Sequence, residues 1–264
     1  MNKTVVISGA SSGIGFTTAE FLHAKGFNVI GLSRNYPKKE YKFNYFLCDI
    51  TKEDQVIKLC DEIKKTHEHV DILINCAGMG VSGAVEHSSI TEVKKIFDVN
   101  VIGQFLLTKN LIELLRKSNR GKIINIGSVA GEIVIPFQTF YSMTKAAISA
   151  FSDGLRIELK PFNIQVTTVL PGDIKTGFTE NREMPIVIED RHYKHRIKNS
   201  IARMAKDEQQ GMPAIKVSKV ILNLINRKHL PIAKTIGFKY KLFVLLAKIV
   251  PKSLLSFVVR KMYG

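Results

Sequence analysis

The stretch "TVVISGASSGIG" (4–15) decides how this chain is read. Its first half is an apolar run of strand length. Behind it, "GFTTAEFLHAKG" (15–26) has helical period, with Gly26 as a C-terminal stop. Gly9, Gly13 and Gly15 stand directly after the strand and at the start of the helix. Glycines there let the backbone come close to a pyrophosphate. The helix N-terminus adds unpaired N–H groups and the positive end of its dipole. The spacing is G-x3-G-x-G rather than G-x-G-x-x-G, and a tight strand–helix turn alone would also look like this. Its place after the first strand favours a nucleotide.

Working outward, the same alternation continues. "FNVIGLS" (27–33), "FNYFLCDI" (43–50), "VDILINCAG" (70–78), "GKIINIGS" (121–128) and "NIQVTTVLPG" (163–172) read as strands. Between them lie helical segments. One is opened by Thr51 in "TKEDQVIKLCDEIKKTHE", one spans 93–117, and one starts at "YSMTKAAISAF" (141–151) and is bounded by Pro161. Continuous apolar strands alternating with helices indicate a parallel sheet covered on both faces, with right-handed crossovers. The expected class is therefore α/β, a Rossmann-type doubly wound sheet that binds ligands at the carboxyl ends of its strands. After residue 172 the pattern loosens and becomes polar, with breaks at Pro185 and Gly211, so a substrate loop or lid is expected over about 173–212. The expected division is a catalytic domain over 1–232 and a basic, apolar C-terminal extension over 233–264.

The second strand runs into "GLSRNYPKK" (31–39), which places Ser33 and Arg34 where an acid would favour NAD. Lys38 and Lys39 follow. A guanidinium matches phosphate geometry in a bidentate way, so NADP(H) is expected over NAD(H). Tyr141 and Lys145 are four apart and share a helix face. An ammonium beside a phenol favours the phenolate and lowers its pKa from about 10, which would let Tyr141 exchange a proton near neutral pH. Ser128, thirteen residues earlier, could hydrogen-bond the same substrate oxygen, and Asn100 could complete a polar relay. Taken alone, a Tyr-x3-Lys pair is also what the start of an amphipathic helix presents.

Together these pieces are far more specific. The chain resembles the short-chain dehydrogenase/reductase family, on "SGASSGIG" (8–15), "NCAG" (75–78), Asn100, "IGS" (126–128), "YSMTK" (141–145) and "PGDIKT" (171–176). These occur in the family's order and at its spacing over roughly residues 3 to 180. Ser8 stands where the family usually has Thr, and Cys76 where it usually has a second Asn. The resemblance implies that Gly9, Ser11, Gly13, Ile14 and Gly15 contact the cofactor phosphates and ribose. It implies that Asp49 contacts the adenine, and that Asn75 and Gly78 line the adenosine ribose. Pro171, Gly172, Ile174 and Thr176 would border the nicotinamide. Lys145 would bind the nicotinamide ribose and tune Tyr141. Tyr141 would be the acid/base, Ser128 the oxygen anchor, and Asn100 the relay residue that orders a water near Lys145. The reaction implied is interconversion of a carbonyl and an alcohol, with the dinucleotide supplying the hydride. The resemblance also implies a homo-oligomer, a dimer or tetramer built through two long helices.

Composition sets the remaining limits. Of the net charge of +16, residues 1–190 hold 22 Lys and Arg against 21 Asp and Glu, while residues 191–264 hold 17 against 2. The body is balanced and the last quarter is a basic surface. The tail "GFKYKLFVLLAKIVPKSLLSFVVRKMYG" (237–264) is apolar but interrupted by Lys248, Pro251 and Lys252, so no spanning helix is expected. Lys241 and Lys248 would share one face, with Phe243, Leu246 and Ile249 elsewhere. This fits either an interfacial element on an anionic membrane or an apolar face packed on the body or a second subunit. Three cysteines, Cys48, Cys60 and Cys76, match no zinc spacing or disulfide framework, and "HEH" (67–69) and "HYKH" (192–195) complete no ligand set, so no metal is expected. No nucleic-acid motif accompanies the basic tail. The expected setting is the cytoplasm, with peripheral contact at a membrane surface open. The tail and the loop after 172 point loosely to a lipid-like or steroid-like substrate. A broad reductase of small ketones and aldehydes is the rival enzyme reading. A sensor or scaffold that binds NADP(H) without turnover is the rival of another class, disfavoured by the intact Asn100–Ser128–Tyr141–Lys145 set.

Overall fold

The computed structural model of the chain describes residues 2–178 and 192–263. Its centre is a seven-stranded, all-parallel sheet. Strand β1 (Thr4–Ser8) is buried along its whole length and is followed by helix α1 (Gly13–Ala24). Then come β2 (Asn28–Ser33), β3 (Asn44–Leu47), α2 (Glu53–Thr66) and β4 (Ile72–Asn75). A long helical run, α3 (Ile90–Phe97) and α4 (Gly103–Lys117), leads to β5 (Lys122–Ile126), α5 (Thr139–Glu158) and β6 (Gln165–Pro171). The strand order is β3-β2-β1-β4-β5-β6, closed by β9 (Ala233–Ile236) at the far edge. The order reverses between β1 and β4, so the crevice for a ligand opens above the carboxyl ends of these two strands.

Alternation along the strands feeds two cores. Val6, Ile30, Leu73, Ile123 and Val166 face α2, α4 and α5, where Ile63, Leu107, Leu111 and Leu155 meet them. Val5, Ile7, Ile72 and Ile124 face the other way, toward Phe16 and Leu22 of α1 and toward Val217 and Ile221 of α7 (Ala214–Asn226). Both faces of the sheet are thus covered, which is why its strands are apolar at nearly every position. Lys122 is a buried exception. Its ammonium donates to the carbonyls of Ile225 at 2.6 Å and Arg227 at 2.7 Å, where the last turn of α7 leaves acceptors unpaired.

Several local expectations shift. The helix expected from Thr51 starts at Glu53, with Lys52 at its N-cap. The Thr51 hydroxyl is occupied instead, donating to Asp49 Oδ1 at 2.9 Å. The helix expected over 93–117 begins earlier, at Ile90, behind a capping box formed by Ser89 and Glu92. It is also not uniform, because residues Asp98–Ile102 form a π-helical turn that carries Asn100. The third strand covers only Asn44–Leu47 of the expected 43–50. The C-terminal boundary moves as well. Residues 233–236, assigned to the extension, are the seventh strand of the sheet, paired with β6, so the extension begins at Gly237.

The lid region is bracketed by a two-stranded clip. Strand β7 (Ile174–Lys175) pairs with β8 (Met212–Pro213), and the Met212 amide donates to the Asp173 carbonyl at 2.9 Å. Between them lies α6 (Lys194–Gln209). The break expected at Pro185 lies outside the described residues. Two final helices, α8 (Phe238–Ile249) and α9 (Lys252–Tyr263), follow the sheet. Among the described residues, no helix is long and apolar enough to cross a membrane.

Candidate active site

Above the β1–β4 switch point lies a cleft of about 1260 Å³. The volume exceeds the 300–1,000 Å³ usual for a small-ligand pocket and suits a dinucleotide together with a second molecule. Gly9, Ser11, Gly13, Ile14 and Gly15 line its floor. Close approach explains the glycines. A Cβ on Gly9 would sit 2.8 Å from the Ala77 backbone, and one on Gly15 would sit 2.2 Å from the Gly9 carbonyl oxygen. The loop therefore nests against the end of β4 and against its own helix, leaving the N-terminus of α1 open to the cleft. Ser8 fixes this arrangement. Its buried hydroxyl oxygen accepts from the amides of Cys76 at 3.0 Å and Ala77 at 3.2 Å. The serine-for-threonine change thus keeps the one atom that ties the two strand ends together.

At one end of the cleft stand Ser33, Arg34, Lys38, Lys39 and Asp49. Ser33 is part of a small hydroxyl network. Its Oγ donates to the Asn35 carbonyl at 2.7 Å and shares a 2.5 Å bond with the Tyr45 hydroxyl. Arg34 is exposed, so its guanidinium keeps its solvation until a partner arrives. Asp49 uses Oδ1 to hold Thr51, through the backbone amide at 3.0 Å and the hydroxyl. Tyr45, which the motif reading missed, connects Ser33 to an aromatic cluster in which its ring lies 5.2 Å from Tyr41 and 5.7 Å from Tyr36. An aromatic run, "YKFNYF" (41–46), was the available signal.

At the centre, α5 delivers the expected pair. The helix begins at Thr139, two residues before the expected start, so Tyr141 and Lys145 lie within its first two turns. Tyr141 lines the cleft, and the Lys145 ammonium is 5.7 Å from its ring centroid. Lys145 is buried and donates to the Ile126 carbonyl at 2.9 Å. Burial pulls its pKa down from 10.5 to about 8, partly opposed by the nearby Cys76. It is therefore still a cation at neutral pH, but a destabilised one. Ser128, at the end of β5, lines the same wall, with its Oγ accepting from the Ala130 amide at 3.1 Å. Cys76 also borders the cleft, and burial pushes its thiol up to about 12, which keeps it protonated and unreactive.

Two expected site residues stand behind the cleft rather than on it. The Asn75 side chain is fully buried, and its Nδ2 donates to Thr108 Oγ1 and to Asn125 Oδ1, both at 2.9 Å. It joins β4 to α4 and β5, and Asn75 is not among the residues that line the cleft. The Asn100 side chain is equally buried. Its Oδ1 accepts from the Met79 amide at 2.8 Å, and its Nδ2 donates to the Met79 carbonyl and to Thr144 Oγ1, both at 3.0 Å. It clamps the loop after β4 onto α5. A Cβ on Gly78 would lie 3.3 Å from Asn100 Oδ1 and 3.7 Å from Lys145 Nζ, so all three meet at one point. The π turn explains the aim, since one extra residue per turn re-directs a side chain that a regular helix would point elsewhere.

Pro171, Gly172, Ile174 and Thr176 close the cleft from above. Thr176 reaches back to the glycine loop, 3.6 Å from where a Gly13 Cβ would be. The remaining wall comes from the extension. Tyr240, Phe243 and Leu246 of α8, with Leu254, Val258 and Met262 of α9, line the same cleft as Tyr141. The ring of Tyr240 lies so close over Gly172 that a Cβ there would sit 2.3 Å from it. The Tyr240 hydroxyl donates to Asp173 Oδ2, and the Tyr263 hydroxyl donates to Asp207 Oδ2 at 3.1 Å. The sequence carried the apolar period of this segment but not its destination.

The histidines singled out in the sequence are used structurally or lie on the surface. His67 bonds Asn28 at 3.0 Å and Thr66 at 2.8 Å. His69 lies 3.6 Å from Asp71, and His192 and His195 are exposed. Among the described residues no group of three or more His, Cys, Asp or Glu converges as a metal site would.

A parallel sheet with its switch point over a glycine loop, facing a Ser–Tyr–Lys wall, defines a dinucleotide-dependent oxidoreductase. The short chain dehydrogenase family model matches residues 3–185, and the chain belongs to that family. It is 34% identical over 264 residues to 3-ketodihydrosphingosine reductase of Bacteroides thetaiotaomicron, covering 99% of this chain and 98% of that one. It is 31% identical to dehydrogenase/reductase SDR family member 7B of Rattus norvegicus over 244 residues, covering 86% of this chain and 71% of that one. Among solved structures it is similar to a short-chain dehydrogenase from Streptomyces avermitilis, with a TM-score of 0.83 and 26% identity, covering 97% of this chain and 96% of that chain.

Proposed function

We propose that the chain is an NADP(H)-dependent reductase of a carbonyl group on an apolar, lipid-like molecule, or the matching alcohol dehydrogenase. One observation carries the reading. The cleft that Ser128, Tyr141 and Lys145 line is also walled by Phe243, Leu246, Leu254 and Val258 of the C-terminal helices. A small polar ketone would leave that wall wet, whereas a long apolar substituent would cover it at about 25 cal/mol per Å² buried. The similarity to a relative whose name specifies a keto derivative of a sphingoid lipid supports the same reading.

The residues present fit a nicotinamide dinucleotide. The open N-terminus of α1 and the Cβ-free loop at Gly9 and Gly13 form a cradle for a pyrophosphate, and Asp49 Oδ2 is available to an adenine amine. Arg34, with Lys38 and Lys39, would meet a 2′-phosphate, which favours NADP(H). Pro171, Gly172, Ile174 and Thr176 would border the nicotinamide, which supplies or accepts the hydride when bound. In reduction the Ser128 hydroxyl holds the carbonyl oxygen, and the Tyr141 hydroxyl donates the proton as negative charge develops there. The Lys145 ammonium favours the phenolate left behind. Asn100 positions Lys145 and Gly78 through its clamp on Met79 and Thr144. The reading extends to a cytoplasmic homo-oligomer joined through α4 and α5, whose outer faces expose Phe105 and Met143.

The test is turnover of NADPH against ketones graded by chain length, with Tyr141→Phe as the control. The expected result is kcat/KM rising with chain length, and turnover falling by at least 10³-fold in Tyr141→Phe while NADPH still binds. Near-normal turnover in Tyr141→Phe would overturn the assignment. A flat response to chain length would favour the reading as a small-ketone reductase.

A further inference from the structure

The last two helices have an outer surface that the cleft does not use. Tyr240, near the start of α8, and Tyr263, at the end of α9, return to the same edge of the protein, at Asp173 and Asp207. The helices therefore form a hairpin whose tip is Val250–Pro251. On α8, Phe238, Leu242, Leu245 and Ile249 recur at i, i+4, i+7 and i+11, which is one continuous stripe. They face solvent, with exposures of 84% for Phe238, 56% for Leu245 and 72% for Ile249. On α9, Leu254 and Phe257 are likewise more than half exposed. An ordinary surface scatters single apolar side chains, whereas here nine large ones are exposed within residues 238–262.

Charge accompanies this patch. Residues 237–264 hold Lys239, Lys241, Lys248, Lys252, Arg260 and Lys261, and no acidic residue. Lys241 and Lys248 flank the α8 stripe, and Lys248 and Lys252 bracket the apolar tip "IVP" (249–251). Ile249 lies on the outer stripe, while Phe243 and Leu246 line the cleft. An apolar stripe edged by lysines matches the boundary of an anionic bilayer, where acyl chains meet negative headgroups. A second protein would have to supply acidic groups at those same edges, whereas an anionic bilayer presents negative headgroups along all of them. Leu246, Leu254, Val258 and Met262 are the connecting observation, because they line the cleft and are also exposed. The gap between the helices is thus an apolar mouth that opens on the same side as the stripe.

We propose that the α8–α9 hairpin docks on an anionic lipid bilayer, with its lysines among the headgroups and Phe238, Leu245 and Ile249 among the acyl chains. The gap between the helices then admits the apolar substrate from the bilayer to the Tyr141 wall, a step that rests on the function proposed above.

The experiment is sedimentation of the full chain with vesicles of phosphatidylglycerol and phosphatidylcholine, against phosphatidylcholine alone. Binding is expected with the anionic vesicles and is expected to weaken with added salt. Lys241→Gln/Lys248→Gln is expected to lower the partition coefficient about 30-fold, from ~1 kcal/mol for each basic residue near the surface. Leu245→Ser/Ile249→Ser is expected to abolish binding while leaving the unfolding midpoint and the turnover of a short, water-soluble ketone unchanged. A chain that stays in the supernatant with anionic vesicles overturns the proposal. Equal binding to both vesicle types also overturns it. So does a solution oligomer that Leu245→Ser/Ile249→Ser disperses, since that outcome assigns the face to a second copy. Vesicle binding is read without turnover, so its failure leaves the carbonyl reading standing, and failure of the Tyr141→Phe test leaves the docking standing.

Discussion

Replacing Lys145 with Met separates the stability of the fold from the chemistry of the site. The Lys145 ammonium is buried against the Ile126 carbonyl, with its pKa pulled from 10.5 to about 8. Between those two values the unfolded chain holds the proton and the folded chain does not, so wild-type stability rises with pH across that window. Below about pH 8 both states are charged and the full cost of burial is present. At ~1.36 kcal/mol per pKa unit, this cost is roughly 3 kcal/mol at pH 7 and roughly 1 kcal/mol at pH 10. Lys145→Met removes the cost but leaves the Ile126 carbonyl without its donor, a loss of about 1–3 kcal/mol. At pH 7 the two effects nearly cancel, and the variant is expected within about 2 kcal/mol of wild type. Between pH 7 and pH 10 it should lose roughly 2 kcal/mol relative to wild type. Other groups titrate in this range, including Lys122 at about 8, but they are common to both proteins and drop out of the difference. The assay is urea unfolding of both proteins at the two pH values, alongside turnover at pH 7, which the variant should lose. A stability difference that does not change between pH 7 and pH 10 would refute the account of Lys145 as a desolvated cation.

Arg34→Asp should weaken NADP(H) binding by about 10- to 150-fold, from the ~1.5–3 kcal/mol of a charge-assisted hydrogen bond, and should shift preference toward NAD(H) in a fluorescence titration. Tighter wild-type binding of NAD(H) would contradict the assignment. Tyr240→Phe removes the hydroxyl that donates to Asp173 and holds the start of α8 over the cleft. Amide exchange in α8 and α9 should accelerate by about tenfold or more, with KM for an apolar ketone raised and kcat held. An unchanged exchange pattern would show that the latch is not what seats the hairpin.

The sheet was legible because its strands are buried on both faces and therefore read as apolar runs. The glycine loop marked where a ligand would bind, at the carboxyl end of the first strand, while the strand order itself came only from the structure. The less legible parts depend on contacts distant in sequence. Thr51 looked like a cap because it precedes two acids, but Asp49, two residues back, takes its hydroxyl. Residues 233–236 looked like part of the extension because a short edge strand has no pattern of its own until β6 is beside it. Asn100, Ser128, Tyr141 and Lys145 were found by residue type and spacing. The π turn that aims Asn100 leaves no mark in composition, and neither does its fully bonded side chain. Asn75 was expected at a ribose because "NCAG" (75–78) carries the family resemblance. Strand alternation turns its side chain inward instead.

The pairing of β9 with β6 also bears on how the protein is made. When β6 leaves the ribosome, the strand that will cover its outer edge lies about 60 residues further along the message. At ~5–20 residues per second, that edge stays open for about 3–12 s while α6 and α7 are still being synthesised. The nascent chain thus passes through a stage in which six strands have assembled and one flank is ready to pair with any extended segment nearby. A holding chaperone has its natural window there, and a ribosome stall placed between residues 171 and 233 would prolong that vulnerable interval.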